Sequence, residues 1–420
     1  MSQATRILLS LVVGLSAGIA LAAFAPGWVP GVAGVAEPIG SAWLHGLQMT
    51  IVPLVVSLLV TGVAATAEAA KAGRLAARAI ALYVGLLFCS AAAAAVLTPL
   101  FLQSVPLPAA SAAALRGALT GAQAIPEVPP LGEFLAGVVP SNVVKAAGDN
   151  AFLSLIIFTL VFAFALGRIE PELRILLTKF FTALRDTMLV VIDWVLWIAP
   201  VGVFALALVV GARAGTGAFG ALVHYILTVE AVGVVVSLFA YPLVLIGARL
   251  PLGRFVRAAL PAQVVAISTQ SSLASLPAML EGTRAAGVPV RVGGVTLPLA
   301  VAVFRATGPA MNLAVAIYVA RWFGVELTFG TIATATVVAT LTSLGSVSLP
   351  GTVSYVSAIA PVAATLGAPV APLGLLVAVE TIPDIIRTVG NVTMDIATTA
   401  LLGRGAEPTV EDDTLVELPA

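Results

Sequence analysis

Long apolar runs are the feature that most constrains the fold of this chain. Residues 7–24 and 76–103 are apolar over the length that a helix needs to cross a bilayer, which is about 20 residues. The composition agrees, since 60% of the 420 residues are hydrophobic and 10% are charged. A soluble domain carries about 25% charged residues. The sequence therefore predicts a polytopic membrane protein and excludes a soluble enzyme.

Charge and cysteine content exclude several other classes of protein. The 20 basic and 20 acidic residues balance, so no excess of positive charge indicates a nucleic-acid partner. One cysteine and two histidines provide neither a disulfide nor a metal-binding motif. The sequence also shows no nucleophile–base set. We therefore predict that the chain is not an enzyme and holds no cofactor.

The apolar segments fall into two groups. Six continuous segments come first, and two longer ones then alternate with two shorter ones that are interrupted by Ser, Gly and Pro. The six are 7–24, 42–65, 76–103, 150–167, 187–210 and 218–247, the longer pair is 292–320 and 371–402, and the interrupted pair is 258–281 and 332–366. If each interrupted segment enters and leaves on one side, eight helices cross and both termini are cytoplasmic. Fourteen of the 20 Lys and Arg residues are then cytoplasmic and four external, as the positive-inside rule requires.

The two interrupted segments resemble each other. Each contains a Thr, six further residues and then Leu-Pro, with a Ser directly before the Leu, over 269–277 and 342–350. Non-helical backbone at membrane depth is tolerated only where it is buried in protein or lines a cavity. A matched pair of such segments indicates a transporter site that is built from inverted repeats.

The last apolar segment carries a stripe of polar residues. Its members are Glu380, Asp384, Arg387, Asn391 and Asp395. Steps of three and four residues place them on one face of a helix. Each charge at the centre of a span costs about 2.5–3.5 kcal/mol, so the stripe has to face a polar cavity. A ladder of ion pairs between two helices is the alternative, but it does not require the neutral Thr388 and Asn391.

The side chains of this stripe match the groups of a small anion. The planar guanidinium of Arg387 fits a carboxylate. Asp384 fits an ammonium group, while Thr388 and Asn391 supply neutral hydrogen bonds. The sequence therefore predicts an anion-binding pocket. The presence of both Arg387 and Asp384 favours an acidic amino acid over a plain C4-dicarboxylate.

With these motifs, the chain resembles the glutamate/aspartate transporter family, the dicarboxylate/amino acid:cation symporters, over nearly its whole length. The family pattern D-x-x-R-T-x-x-N-x-x-x-D is present over 384–395. The Ser-rich tip of the first hairpin, over 271–277, and the tip of the second, over 343–351, agree as well. A third match is Ala-Pro-Val-Gly-Val-Phe-Ala over 199–205.

The resemblance implies an all-helical membrane fold with eight transmembrane helices and two re-entrant hairpins. It further implies a homotrimer in the plasma membrane that moves its substrate by an elevator motion. The expected division is a scaffold of 1–65 and 150–215, a transport domain of 66–103 and 216–404, an external connection of 104–149 and an acidic cytoplasmic tail of 405–420.

The resemblance also implies two sets of site residues. The substrate-binding set is Arg387, Asp384, Thr388, Asn391, Ser271, Ser272 and Gly351. The remnant of a cation site is Asp395, Asn391, Ser343 and Ser346. The partner would be a small anionic substrate, and sodium or a proton would be the coupling ion.

The sequence departs from the family in the seventh helix. Relatives carry an unwound N-M-D-G-T motif whose Asn and Asp lie in the sodium sites, whereas this chain has Phe-Arg-Ala-Thr-Gly over 304–308. Leu86 and Leu87 stand where the third helix of the family has hydroxyl groups, and Gln270 replaces an arginine of the first hairpin. The sodium-site motif is thus degraded. Because sodium needs several oxygen ligands, we expect the deepest sodium site of the family to be lost.

Arg305 within this motif leaves two functions open. In the first, the chain is a cation symporter of acidic amino acids or dicarboxylates. In the second, Arg305 pairs with Asp395 as a built-in cation, and transport proceeds without sodium by proton coupling or exchange. A membrane sensor without transport is a third class, which the retained pocket residues disfavour.

Overall fold

All regular structure in the described part of the chain is helical. The computed structural model describes residues 3–71, 73–107, 112, 139–344 and 351–405. Most of the predicted external connection, the predicted tail after residue 405 and Ser346 lie outside these ranges.

Helices up to residue 214 form the first half of the structure. They are α1 (Gln3–Phe24), α2 (Val29–Gln48), α3 (Ile51–Lys71), α4 (Arg74–Ser104), α5 (Val143–Gly148), α6 (Phe152–Leu166), α7 (Pro171–Trp197) and α8 (Ala199–Ala214). α1 packs closely along α8. A methyl group added at Gly18 would overlap the carbonyl oxygen of Leu208, and one at Gly211 would overlap that of Leu15. These glycines therefore let the two helix backbones touch.

A bend of 56° at Ile198 separates α7 from α8. Pro200 lies in the first turn of α8, where its missing N–H is tolerated but cannot bond to the preceding turn. The apolar segment predicted over 187–210 thus contains a bend, because its apolar character continues through residue 198.

The second half contains the remaining helices. They are α9 (Gly217–Leu238), α10 (Leu252–Thr269), α11 (Leu276–Ala285), α12 (Val290–Val303), α13 (Gly308–Phe323), α14 (Phe329–Leu344), α15 (Gly351–Thr365), α16 (Leu373–Leu376) and α17 (Thr381–Gly403). A π-helical segment, Leu243–Ala248, follows α9, and a short 3₁₀ segment, Val377–Val379, joins α16 to α17.

Each interrupted segment forms two helices that pack against each other. α10 and α11 are joined by residues 270–275, and α14 and α15 are separated by residues 345–350. Gln270 ends α10 in the left-handed backbone conformation, with φ of 51°. The two pairs have the form of the helical hairpins expected from the sequence. Their entry and return on one side of a membrane stays a prediction.

Five helical stretches among the described residues are long and apolar enough to cross a membrane, or six if α7 and α8 form one span. The five are Thr5–Phe24, Pro26–Glu68, Arg74–Ser104, Gly217–Ala248 and Val290–Phe323. α17 is not among them because Asp384, Arg387 and Asp395 interrupt its apolar character, and α6 has only 15 residues. The structure thus supports a multi-pass membrane protein, while the total of eight spans stays a prediction.

Burial is most complete around α13 and α17. Every residue of α13 except Arg321 is buried. α17 buries its polar stripe, and it also buries apolar side chains such as Val392 and Ile396. The polar stripe therefore faces other helices of the protein, as its insertion cost requires.

Candidate functional site

The site is built around a break between α12 and α13. Residues 304–307 are not helical, so their backbone groups need partners from elsewhere. The hydroxyl of Ser90 on α4 donates to the carbonyl oxygen of Ala306. The backbone N–H of Thr307 donates to Asn391 Oδ1 on α17 at 2.9 Å. An interruption of the seventh helix, as the resemblance implied, is present.

Asn391 is held by this break. Its Oδ1 accepts the backbone N–H of Thr307 and lies 2.8 Å from the Thr307 hydroxyl. The same hydroxyl lies 2.8 Å from the carbonyl oxygen of Arg387. The side-chain oxygen of Asn391, a residue of both predicted sets, is thus already hydrogen-bonded within the protein. Its Nδ2, by contrast, has no hydrogen-bond partner among the described residues.

The guanidinium of Arg387 is buried and held on three sides. Its Nη2 donates to Glu380 Oε1 at 2.8 Å, and its Nη1 donates to Asn312 Oδ1 at 2.7 Å. Its Nε lies 3.6 Å from Asp384 Oδ1. Because Asn312 belongs to α13, this contact ties α17 to the helix that follows the break. Together these contacts fix the orientation of the planar guanidinium.

A small cavity lies beside this guanidinium. Its lining comes from the break, from α13, from both arms of the second hairpin and from the start of α17. Lining residues that carry polar side chains include Arg305, Asn312, Ser343, Tyr355, Glu380 and Arg387. Two guanidinium groups and one carboxylate face the same space. With neutral hydrogen-bonding groups between them, these side chains have the chemistry that matches a small anion.

The predicted substrate-binding residues of α17 lie together. Arg387 lines the cavity, and Asp384 lies beside its guanidinium. Thr388 is buried, and its hydroxyl donates to the carbonyl oxygen of Asp384 at 2.8 Å. Asn391 follows one turn later and bonds to the helix break. The stripe read from the sequence thus runs from the cavity to the break.

The predicted residues of the hairpins are more dispersed. Ser271 and Ser272 lie at the tip of the first hairpin and do not line the cavity. This tip reaches α17 through Gln270, whose side-chain amide donates to the carbonyl oxygen of Thr381 at 3.0 Å. Gly351 begins α15, the arm that contributes Tyr355 to the cavity.

The predicted pairing of Arg305 with Asp395 as opposite charges stays a prediction. Asp395 is fully buried, and neither of its carboxylate oxygens has a hydrogen-bond partner among the described residues. Arg305 lines the cavity together with Arg387. Ser343, from the predicted cation set, also lines the cavity, and its hydroxyl donates to the carbonyl oxygen of Ala339 at 2.8 Å.

Several residues of the site were absent from the predicted sets, among them Glu380, Ser90 and Asn312. Glu380 stood on the polar stripe seven residues before Arg387, so helical spacing already gave a signal for it. Ser90 lies seven residues after Tyr83 on the buried face of α4. Its hydroxyl donates to the helix break, whereas the neighbouring buried residue Leu87 has no hydroxyl group. Asn312 stood in no motif, and only the fold reveals its contact with Arg387.

Comparison with known proteins identifies the family of this chain. The profile of the sodium:dicarboxylate symporter family matches residues 4–404. The proton/glutamate-aspartate symporter of Escherichia coli (strain K12) is 28% identical over 339 residues, covering 78% of this chain and 76% of the relative. The neutral amino acid transporter B(0) of Oryctolagus cuniculus is 29% identical over 97% of this chain and 83% of the relative.

A C4-dicarboxylate transport protein of Rhizobium johnstonii is 25% identical over 338 residues, covering 78% of this chain and 72% of the relative. These relatives are membrane transporters and not enzymes, as the sequence predicted. The family profile covers nearly the whole chain, including the polar stripe and both hairpins. The chain therefore belongs to the sodium:dicarboxylate symporter family.

Proposed function

We propose that the chain is a secondary transporter that carries acidic amino acids or C4-dicarboxylates across the plasma membrane by cation symport. The observation that carries this proposal is the buried guanidinium of Arg387, held in a fixed orientation beside a cavity that the second hairpin also lines. Such a group binds a carboxylate in a bidentate manner. The names of the relatives support the same class of substrate.

An acidic amino acid is the preferred substrate in this proposal. Asp384 lies 3.6 Å from the guanidinium of Arg387, so one substrate could place a carboxylate and an ammonium group against neighbouring side chains. Uptake of labelled aspartate, glutamate and succinate into proteoliposomes tests this preference. We expect aspartate or glutamate to inhibit the uptake of succinate at a lower concentration than succinate needs to inhibit theirs. Absence of uptake for all three would contradict the proposed function.

The proposed assembly is a homotrimer with eight spanning helices, two re-entrant hairpins and cytoplasmic termini, which works by an elevator motion. Support comes from the resemblance and from the distribution of basic residues. Cysteine labelling tests the first hairpin after the exposed Cys89 is replaced by Ser. We expect Arg284→Cys to react with an impermeant reagent from the cytoplasmic side. Labelling only from outside would restore a crossing helix.

A second candidate function differs from the first in its coupling ion: it is transport without sodium. Arg305 stands in the helix break, and the amide oxygen of Asn391 is already used by Thr307. A fixed guanidinium near a cation site repels sodium, by about 4 kcal/mol at 4 Å and an effective dielectric constant of 20. These features favour proton coupling or exchange, with Arg305 in place of a bound cation.

Uptake at fixed pH, with sodium exchanged for choline, separates the two coupling modes. Steep and saturable sodium dependence would establish sodium symport and remove the role of Arg305. Uptake that is indifferent to sodium, and that falls in Arg305→Met, would support the built-in cation. Arg321→Met is the matched control, because Arg321 lies in the last turn of α13, the helix that follows the break, and outside the cavity.

A further inference from the structure

Glu380 holds the guanidinium that is expected to bind the substrate. Its carboxylate is fully buried, and its Oε1 accepts a hydrogen bond from Arg387 Nη2 at 2.8 Å. Its Oε2 has no hydrogen-bond partner among the described residues. Both side chains line the same cavity. A substrate carboxylate that approaches Arg387 from the cavity therefore meets a guanidinium edge that the protein's own carboxylate already occupies.

Two carboxylates cannot share this edge without cost. If Glu380 keeps its charge, it repels the substrate carboxylate at short range. If it yields its place on Arg387, a buried negative charge loses its hydrogen-bond donor, which is strongly unfavourable in a medium of low polarity. A neutral carboxyl group avoids both costs, since it carries no charge and can itself donate a hydrogen bond.

The ionisable groups around Glu380 add to this competition. On its own segment lie Arg387 and Asp384, whose negative charge repels a second carboxylate near the guanidinium. From the helix break, Arg305 faces the same cavity. From the packed helices come Tyr225 of α9 and Tyr355 of α15, whose hydroxyl oxygens lie 2.6 Å apart. These tyrosines are neutral, so they do not replace Arg387 as the partner of a charged Glu380.

We infer that Glu380 binds the proton that travels with the substrate. A proton from the surrounding solution binds to the carboxylate of Glu380. The neutral carboxyl group then releases Nη2 of Arg387, and the substrate carboxylate takes its place on the guanidinium. Because each binding event favours the other to the same degree, the proton and the substrate are thermodynamically coupled. This inference rests on the proposed function and names the coupling site within it.

The test compares aspartate binding by the purified protein and by Glu380→Gln across a range of pH. We expect the affinity of the unmodified protein to rise by up to about tenfold for each unit by which the pH falls. In Glu380→Gln, which imitates the neutral carboxyl group, affinity should not depend on pH. In vesicles that contain this variant, a proton gradient should no longer drive accumulation of aspartate.

Two further variants separate coupling from simple structural damage. Glu380→Asp keeps a titratable carboxyl group and should keep the pH dependence of binding. Glu230→Gln is the matched control, because Glu230 is a half-buried glutamate of α9 that does not line the cavity. It should behave as the unmodified protein does. Elution from a sizing column and thermal unfolding establish that each variant is folded.

The unmodified protein alone also tests the inference, whatever the stability of the variants. Addition of aspartate in weakly buffered solution should withdraw protons from the solution, as a pH indicator reports. No proton uptake, or a pH dependence that survives in Glu380→Gln, would overturn the inference while transport itself remains. If the unmodified protein transports none of the three labelled substrates under any ion gradient, the proposed function fails, and the role of Glu380 fails with it.

Discussion

Two arginine–glutamate pairs of this protein have the same length and opposite surroundings. Arg213 on α8 and Glu37 on α2 lie 2.8 Å apart, with 36% and 43% of their side-chain surface exposed. Arg387 and Glu380 are also 2.8 Å apart, but only 7% and 1% of their side chains are exposed. An exposed pair contributes at most about 1 kcal/mol. Breaking a buried pair costs about 3–5 kcal/mol, so burial, not distance, ranks the two.

The two regions that hold these pairs are also built differently. α1 and α8 meet through glycines, and their backbones touch where any side chain would intrude. α13 and α17 meet through polar side chains, some of which have buried atoms without a partner among the described residues. The first region is expected to be sensitive to added volume, and the second to lost hydrogen-bonding groups.

The largest effect is expected from Arg387→Ala. The substitution leaves Glu380 and Asn312 without their partner, which costs about 3–5 kcal/mol for a buried pair, and it removes the guanidinium that is proposed to bind the substrate. Because the proposed partner of the substrate carboxylate is lost, we expect aspartate affinity to fall by at least about a hundredfold, which corresponds to about 3 kcal/mol of binding free energy. Equilibrium binding to the purified variant measures it. Unchanged affinity would show that the substrate site lies elsewhere.

Added volume in the first region should have the next largest effect. We expect Gly18→Val to lower the free energy of unfolding by about 3 kcal/mol, because the backbone of Leu208 cannot move aside as a flexible side chain could. Thermal unfolding in detergent measures the change. Gly31→Val on α2, where an added methyl group would meet no atom within 4 Å, is the control and should lose much less.

Loss of one hydroxyl at the helix break comes third. Thr307→Val keeps the shape of the side chain and the backbone N–H, but it removes the hydroxyl between Asn391 and the carbonyl oxygen of Arg387. We expect a loss of about 1–2 kcal/mol in stability and weaker substrate binding. Thr307→Ser, which keeps the hydroxyl, should restore most of both. Equal losses in the two variants would mean that the methyl group, not the hydroxyl, is what matters.

The smallest effect is expected at the exposed pair. Arg213→Ala should change the free energy of unfolding by at most about 1 kcal/mol, with less effect at high salt, and should leave aspartate affinity unchanged. Unfolding curves at two salt concentrations provide the measurement. A loss as large as that of Arg387→Ala would remove the distinction between the two pairs.

Much of the site could be predicted because it lies on one helix. Spacing alone placed Asp384, Arg387 and Asn391 on one face of α17, and the resemblance placed the break near Arg305. The contact of Arg387 with Asn312 joins residues 75 positions apart, on helices whose packing no local pattern encodes. α17 also buries its apolar face. The polar stripe gave no indication of that burial, since it marks only the opposite face.

The interruption at 304–307 has a mechanical consequence. A broken helix has no backbone ladder to resist bending at the gap, yet here hydroxyl and amide groups from α4 and α17 bridge it. Ser90 braces one side and Asn391 the other. A force that displaces α17 is therefore shared by α4 and by both halves of the broken helix. The cavity beside Arg387 therefore adjoins a break that is braced from two sides, and the broken helix is expected to resist bending there.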